Sequence, residues 1–122
     1  MPHLIVDYSP NLSAEELQPE QLLDTLVEAA IGTGLFPESG MRARMFAAQY
    51  ARVASGEPHY AYINVSMRVG RGRSEEDRKV AGERIFAALQ AHAQDLLTHR
   101  KVALSFEMRE LDNVKFNAKN IP

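Results

Sequence analysis

The chain has 122 residues, 45% of them hydrophobic and 25% charged, with a formal net charge of -2 and no cysteine. That length and balance predict one ordinary folded domain, residues 1–122, with a real core, and the slight negative charge excludes a dedicated nucleic-acid binder. Disulfide and thiolate chemistry are excluded, no apolar run is long enough for a membrane span, and MPHLIVDYSPN lacks the parts of a signal peptide, so the cytoplasm is the expected location.

Leu4–Tyr8 is a short apolar run closed by Ser9-Pro10-Asn11, which reads as a buried strand. Ser13 and Glu16 have capping-box spacing for a short first turn, which Pro19 separates from the main helix. That helix carries Leu22, Leu23, Leu26, Val27, Ala30 and Ile31 at helical spacing and leaves through Gly32 and Gly34. Met41–Val53 reads as an irregular extended segment, followed by a turn at Ser55–Pro58. The strand His59–Val69 alternates Ala61, Ile63, Val65, Met67 and Val69 against Tyr60, Tyr62, Asn64, Ser66 and Arg68. Ser74, followed by Glu75, Glu76 and Asp77, starts a second helix. It is expected to run to His99 and Arg100, with Ala81, Ile85, Ala88, Leu89, His92 and Leu96 on its buried side. A last alternating strand covers Val102–Glu110, and the tail from Asp112 is polar and irregular.

The order is β-α-β, then β-α-β, with parallel pairing and a right-handed crossover expected within each half. The predicted fold is α/β (α+β): one four-stranded mixed sheet with two helices on one face. The other face stays uncovered, and Tyr60 and Tyr62 on it favour burial against another subunit.

Three groups can carry chemistry. Initiator methionine is commonly removed before a small second residue, which would make Pro2 a terminal secondary amine. An α-amino group titrates near neutrality, and a cation or an apolar wall lowers its pKa further, so a free Pro2 has the makings of a general base. Arginines cluster twice, as Arg42 and Arg44 in GMRAR and as Arg71 and Arg73 in VGRGRS. Their planar forks suit carboxylates, and Arg73 stands just before a helix amino terminus, itself friendly to anions. The bland counterparts are an incidental Met-Pro start, a solvated strand face and a glycine turn. GRGRS lacks the lysine of a phosphate-binding loop. His3, His59, His92 and His99 show no metal-ligand spacing, so no metal is expected, and His92 reads as a packing residue.

Together, PHLIVDYS, TGLFPESGMRAR, HYAYINVSMRVGRGRSEEDRKVAGERIF and ALSFEMREL resemble the 5-carboxymethyl-2-hydroxymuconate isomerase family of the tautomerase superfamily, over nearly the whole chain. The resemblance implies a tautomerase-like pseudo-repeat, a homotrimer with sheets packed around its axis, and cofactor-free ketonisation of an unsaturated carboxylate enol in homoprotocatechuate breakdown. By that resemblance Pro2 is the catalytic base and Arg42 and Arg73 bind substrate carboxylates. Arg44 matches the second arginine of the loop motif, and Arg71 occupies a variable position. The tail VKFNAKNIP, with Phe116 and Asn120, resembles the family's closing segment in a shortened form. Two other readings stay open on the residues: hydration or dehalogenation of an unsaturated acid by the same amine, and a ferredoxin-like binding module in which Pro2 is incidental.

Overall fold

Alternation in two strands sets the centre of the fold in the computed structural model, which describes residues 1–122: β1 (His3–Tyr8) and β3 (Tyr60–Val69). Leu4 and Val6 of β1 are fully buried, as are all five core-side residues of β3 from Ala61 to Val69, because every second side chain of a pleated strand falls on one face. The strands pair antiparallel with Leu4 opposite Met67 and Val6 opposite Val65, so their apolar stripes merge. A slip of one residue would turn one stripe to the opposite face from the other, at a cost of about 1.5–3 kcal/mol for each large side chain exposed.

Parallel partners extend this pair on both sides. The strand β2 (Arg42–Ala47) adds to β1 and β4 (Lys101–Glu110) adds to β3, giving the order β2-β1-β3-β4. Each half is therefore an unsplit β-α-β unit, unlike the split β-α-β of a ferredoxin-like module. The helices α2 (Pro19–Gly32) and α3 (Glu75–His92) cover the apolar face with Leu22, Leu26 and Ala30 and with Ala81, Ile85 and Leu89. The predicted mixed sheet with both main helices on one face is what the chain forms.

Local chemistry starts these helices where expected. Ser13 and Glu16 make a reciprocal capping box for α1 (Ala14–Leu17), and Pro19 occupies the first turn of α2. Ser74 Oγ accepts the Asp77 N–H at 3.0 Å, with three acids in the first turn of α3.

Two boundaries differ from expectation. The second helix does not run unbroken to Arg100: it stops at His92, Ala93 leaves helical geometry at φ -87° and ψ 4°, and α4 (Gln94–His99) follows. No glycine or proline signals that break. It is a packing event, in which Ala93 and Leu96 are both buried and His92 Nε2 lies 2.7 Å from the Leu17 carbonyl oxygen; Ala88 is only half-buried. Nor is Met41–Val53 extended to its end. Its pairing stops at Ala47 because β1 itself ends at Tyr8, whose carbonyl takes the last bond, from Ala48 N–H at 2.8 Å.

The face away from the helices is polar and internally bonded. Tyr62 donates its phenol proton to Asp7 Oδ1 at 2.8 Å, Asn64 Nδ2 donates to Asp7 Oδ2 at 3.0 Å, and Ser105 Oγ donates to Asn64 Oδ1 at 2.6 Å. Partial burial, then the bond to the Asp7 carboxylate, holds the Tyr62 phenol above its ordinary pKa. No helix of the chain is long and apolar enough to cross a membrane.

Candidate active site

Because β1 starts at His3, Pro2 stands at the edge of the sheet where β2 also begins and β3 ends. Arg42 N–H donates to the Pro2 carbonyl at 3.0 Å, which fixes the terminus against β2. A 3-10 turn, Glu38–Gly40, walls one side. A β-carbon on Gly40 would lie 3.5 Å from Pro2 Cδ and 3.7 Å from Met1 Cα. Pro2 is buried and Met1 half-buried.

The Pro2 nitrogen here is an amide joined to Met1, so the free amine at this place belongs to Met1. That amine is pulled below its ordinary pKa first by burial, then by the charges of Lys115, Arg73, Arg42 and Lys119. Each acts by penalising the ammonium form.

Arg73 is held by backbone. Its Nε and Nη2 donate to Leu35 O at 3.2 and 2.9 Å, Nη1 donates to Gly70 O at 3.1 Å, and the guanidinium lies 4.8 Å from the centroid of the Phe36 ring. One side chain thus braces the exit of α2 against the turn into α3. Gly72, at φ 114°, gives that turn a conformation that a β-carbon would strain. Arg42 Nη1 donates to Gly40 O at 2.9 Å.

Of the four arginines singled out in the sequence, Arg42 and Arg73 share the field of the terminal amine, and the other two stand apart. Arg44 lies on the open sheet face with Nη1 3.1 Å from His3 Nδ1. Burial first, then Arg44, Arg68, Arg42 and the chain amine, lowers the His3 pKa. Arg71 is exposed, and its Nε donates to Leu111 O at 3.0 Å, which ties down the start of the tail.

Two members of the cluster escaped the sequence reading. After Leu111 N–H bonds Val69 O at 2.7 Å, the tail folds back over the amino terminus. Lys119 Nζ donates to Ser39 Oγ at 2.6 Å, and Lys115 Nζ lies 3.1 Å from where a β-carbon on Gly70 would stand. The available signal was modest: between Asn113 and Pro122 the tail holds these two cations and no acid.

Of the two ion pairs of the chain, Arg100–Glu16 lies at the other end of the sheet and Arg78–Glu110 joins α3 to the end of β4, and neither includes a cation of this cluster. Arg42, Arg73, Lys115 and Lys119 therefore face a partly buried amine with no carboxylate of their own chain to balance them. Such a field attracts acidic molecules and disfavours the ammonium form of an amine. No group of three or more His, Asp or Glu side chains is placed to hold a metal ion. The larger concavities lie away from Pro2, about 560 Å³ beside Gln18 and His92, about 520 Å³ beside Phe86 and Phe106 and about 440 Å³ beside Asn11 and Arg52.

The family model for 5-carboxymethyl-2-hydroxymuconate isomerase matches residues 2–122. The chain is 35% identical over 122 residues to the 5-carboxymethyl-2-hydroxymuconate Delta-isomerase of Escherichia coli, an alignment covering 99% of this chain and 96% of that protein. The crystal structure of a 5-carboxymethyl-2-hydroxymuconate isomerase from Deinococcus radiodurans R1 superposes with a TM-score of 0.86 at 34% identity, over 98% of this chain and 89% of the other. A crystallised 5-carboxymethyl-2-hydroxymuconate delta-isomerase gives a TM-score of 0.89 at 30% identity, over 98% and 87%.

Proposed function

The chain belongs to the 5-carboxymethyl-2-hydroxymuconate isomerase family, and from that premise we propose that Pro2, once Met1 is removed, is its general base and that Arg42 and Arg73 hold substrate carboxylates. The reaction relocates one proton. The Pro2 nitrogen takes the enol hydroxyl proton, the O–H electron pair becomes the π bond of a carbonyl, and the conjugated double bonds shift. The carbon at the far end of the conjugated system then takes a proton from the prolyl ammonium. Substrate and product are isomers, so neither oxidant nor reductant enters.

The observation that carries this reading is the placement of a buried Pro2, held by Arg42 N–H at 3.0 Å and walled by Gly40, among cations whose charges, after burial, lower the pKa of the Met1 amine beside it. An α-amino group ordinarily titrates at about 7.7–8.0, and surroundings that lower this value favour the neutral form, whose lone pair the first step requires. The Pro2 nitrogen stands one residue further into the fold, in a residue that is itself buried. Arg42 and Arg73 also face the negative charge that develops on the dienolate, where fixed cations stabilise the transition state.

Self-association completes the proposal, as a homotrimer packed through the open sheet face. What supports it is that this face has no covering layer and leaves Phe46 of β2 56% exposed. Arg44 projects from the same face, so a neighbouring subunit could bring it to a second site; Arg71 contributes by anchoring the tail.

The test is a pair of preparations. Protein whose mass shows Met1 removed should ketonise 5-carboxymethyl-2-hydroxymuconate, read as loss of the conjugated enol absorbance. A chain extended at its amino terminus, so that Pro2 stays acylated, should be inactive. Equal turnover by the two would overturn the role of Pro2.

A further inference from the structure

We infer that Lys115 and Lys119 form a second cationic clamp that takes the carboxylate of the substrate's carboxymethyl arm. They would thereby set the preference for 5-carboxymethyl-2-hydroxymuconate over 2-hydroxymuconate, which lacks the arm. The inference rests on the reading of Pro2 as the base, and adds to it the residues that choose the substrate.

Charge is the first argument. The substrate carries two muconate carboxylates and a third on the arm, whereas only two arginines stand in the field of the amine. Arg73 already commits three of its five N–H groups to the carbonyls of Leu35 and Gly70. Its freedom to fork a further carboxylate is limited. Lys115 donates to no acceptor of the chain and enters neither of its ion pairs; Lys119 holds only the Ser39 hydroxyl. An anion would give both ammonium groups a stronger partner.

Placement is the second. Lys119 reaches the 3-10 turn that walls Pro2, and Lys115 reaches Gly70, whose carbonyl holds Arg73. Both lysines thus stand in the field of the amino terminus, one at the Glu38–Gly40 turn and the other at Gly70. Both lie exposed on a segment without regular structure. An ammonium on a flexible stem, with freely rotating donors, matches a carboxylate that swings on a methylene; a rigid guanidinium fork suits a conjugated, planar one.

The experiment compares kcat/KM for the two substrates in the full chain with Lys115→Gln and Lys119→Gln together. The ratio favouring the carboxymethyl substrate should fall about tenfold, mostly through KM, the size expected for losing two solvent-exposed charge pairs. The Lys115→Arg, Lys119→Arg double variant keeps both charges but replaces the compact ammonium by a rigid fork, so the ratio should fall less, by about two- to threefold. Equal losses on both substrates, or an unchanged ratio, would overturn the clamp and leave the lysines as a tether for the tail. The base is tested separately by Pro2→Ala, which should abolish most turnover of both substrates and move no ratio. A Pro2→Ala protein that still turned over, together with a lysine variant that lost its preference, would sink the base and keep the clamp.

Discussion

The two ends of the sheet treat cations in opposite ways. Where β4 begins, Arg100 Nη1 donates to Glu16 Oε2 at 2.7 Å, and its remaining nitrogens reach the carbonyls of His59 and Asn11. Glu16 also accepts the Ser13 N–H at 3.2 Å, so a single ion pair joins α1 to the entrance of β4. That end is closed on itself. Where β1 begins, Arg42, Arg73, Lys115 and Lys119 gather about a partly buried amine without a carboxylate of the chain. An arginine balanced inside the chain holds the fold, whereas cations without an ion-pair partner in the chain remain available to an acidic ligand.

The largest effect should come from Pro2→Ala. A positioned base contributes roughly a hundredfold or more, so kcat on 5-carboxymethyl-2-hydroxymuconate should fall by at least that factor while the far-ultraviolet circular dichroism is retained. Next is Arg73→Ala, which breaks the simple contrast by touching both fold and ligand. kcat/KM should drop by roughly 10² with the loss of a fixed cation, and chemical denaturation should show a loss of about 1–3 kcal/mol, because the Leu35 and Gly70 carbonyls lose their donors. Arg42→Ala removes a single backbone bond, to Gly40, and should raise KM with a smaller loss of stability.

A pH profile sharpens the contrast further. The amine faces Arg42, Arg73, Lys115, Lys119 and His3. Removing the two lysine charges makes its ammonium form less unfavourable and raises its pKa, so the acidic limb of kcat/KM should move to higher pH. A limb that stayed in place would separate the lysines from the base.

Glu16→Gln at the closed end should have the smallest effect and leave turnover unchanged. The Glu16 pKa is lowered first by the Ser13 backbone N–H and then by Arg100. The folded pKa lies below the unfolded one, so its stabilisation is present above the unfolded carboxylate value of about 4.3 and is lost as pH falls through the folded value. With the Glu16 side chain 27% exposed, the substitution should cost about 1 kcal/mol at neutral pH and progressively less in acid, read by urea denaturation at several pH values. A loss of turnover comparable to that of Arg73→Ala would show that the two ends are not functionally distinct.

Legibility in the sequence followed the range of the forces. The alternation of β3, the Ser13–Glu16 capping box, the Ser74 cap and Pro19 were readable because each acts between residues no more than a few positions apart. The break at Ala93 was not, since it depends on His92 meeting the Leu17 carbonyl from a distant helix. Likewise the end of β2 is set by the length of β1, a strand far away in sequence. At the site, Pro2, Arg42 and Arg73 could be named from residue type and motif, yet nothing in GMRAR told Arg42 from Arg44. Both stand on the same face of β2, and only the fold separates them: Arg42, at the start of the strand, turns to the Gly40 carbonyl beside Pro2, whereas Arg44, two residues on, meets His3.

By itself the sequence determined the elements, the apolar face of the sheet, the family and the candidate base, because patterning, caps and residue chemistry are properties of short stretches. Only the tertiary structure decided which cations share the field of the amino terminus. It brought Lys115 and Lys119 back over residue 2, set Arg44 beside His3 and bonded Arg71 to the Leu111 carbonyl. Electrostatic coupling depends on distance through space, and the chain had to fold before positions 2, 73 and 119 could act on one another.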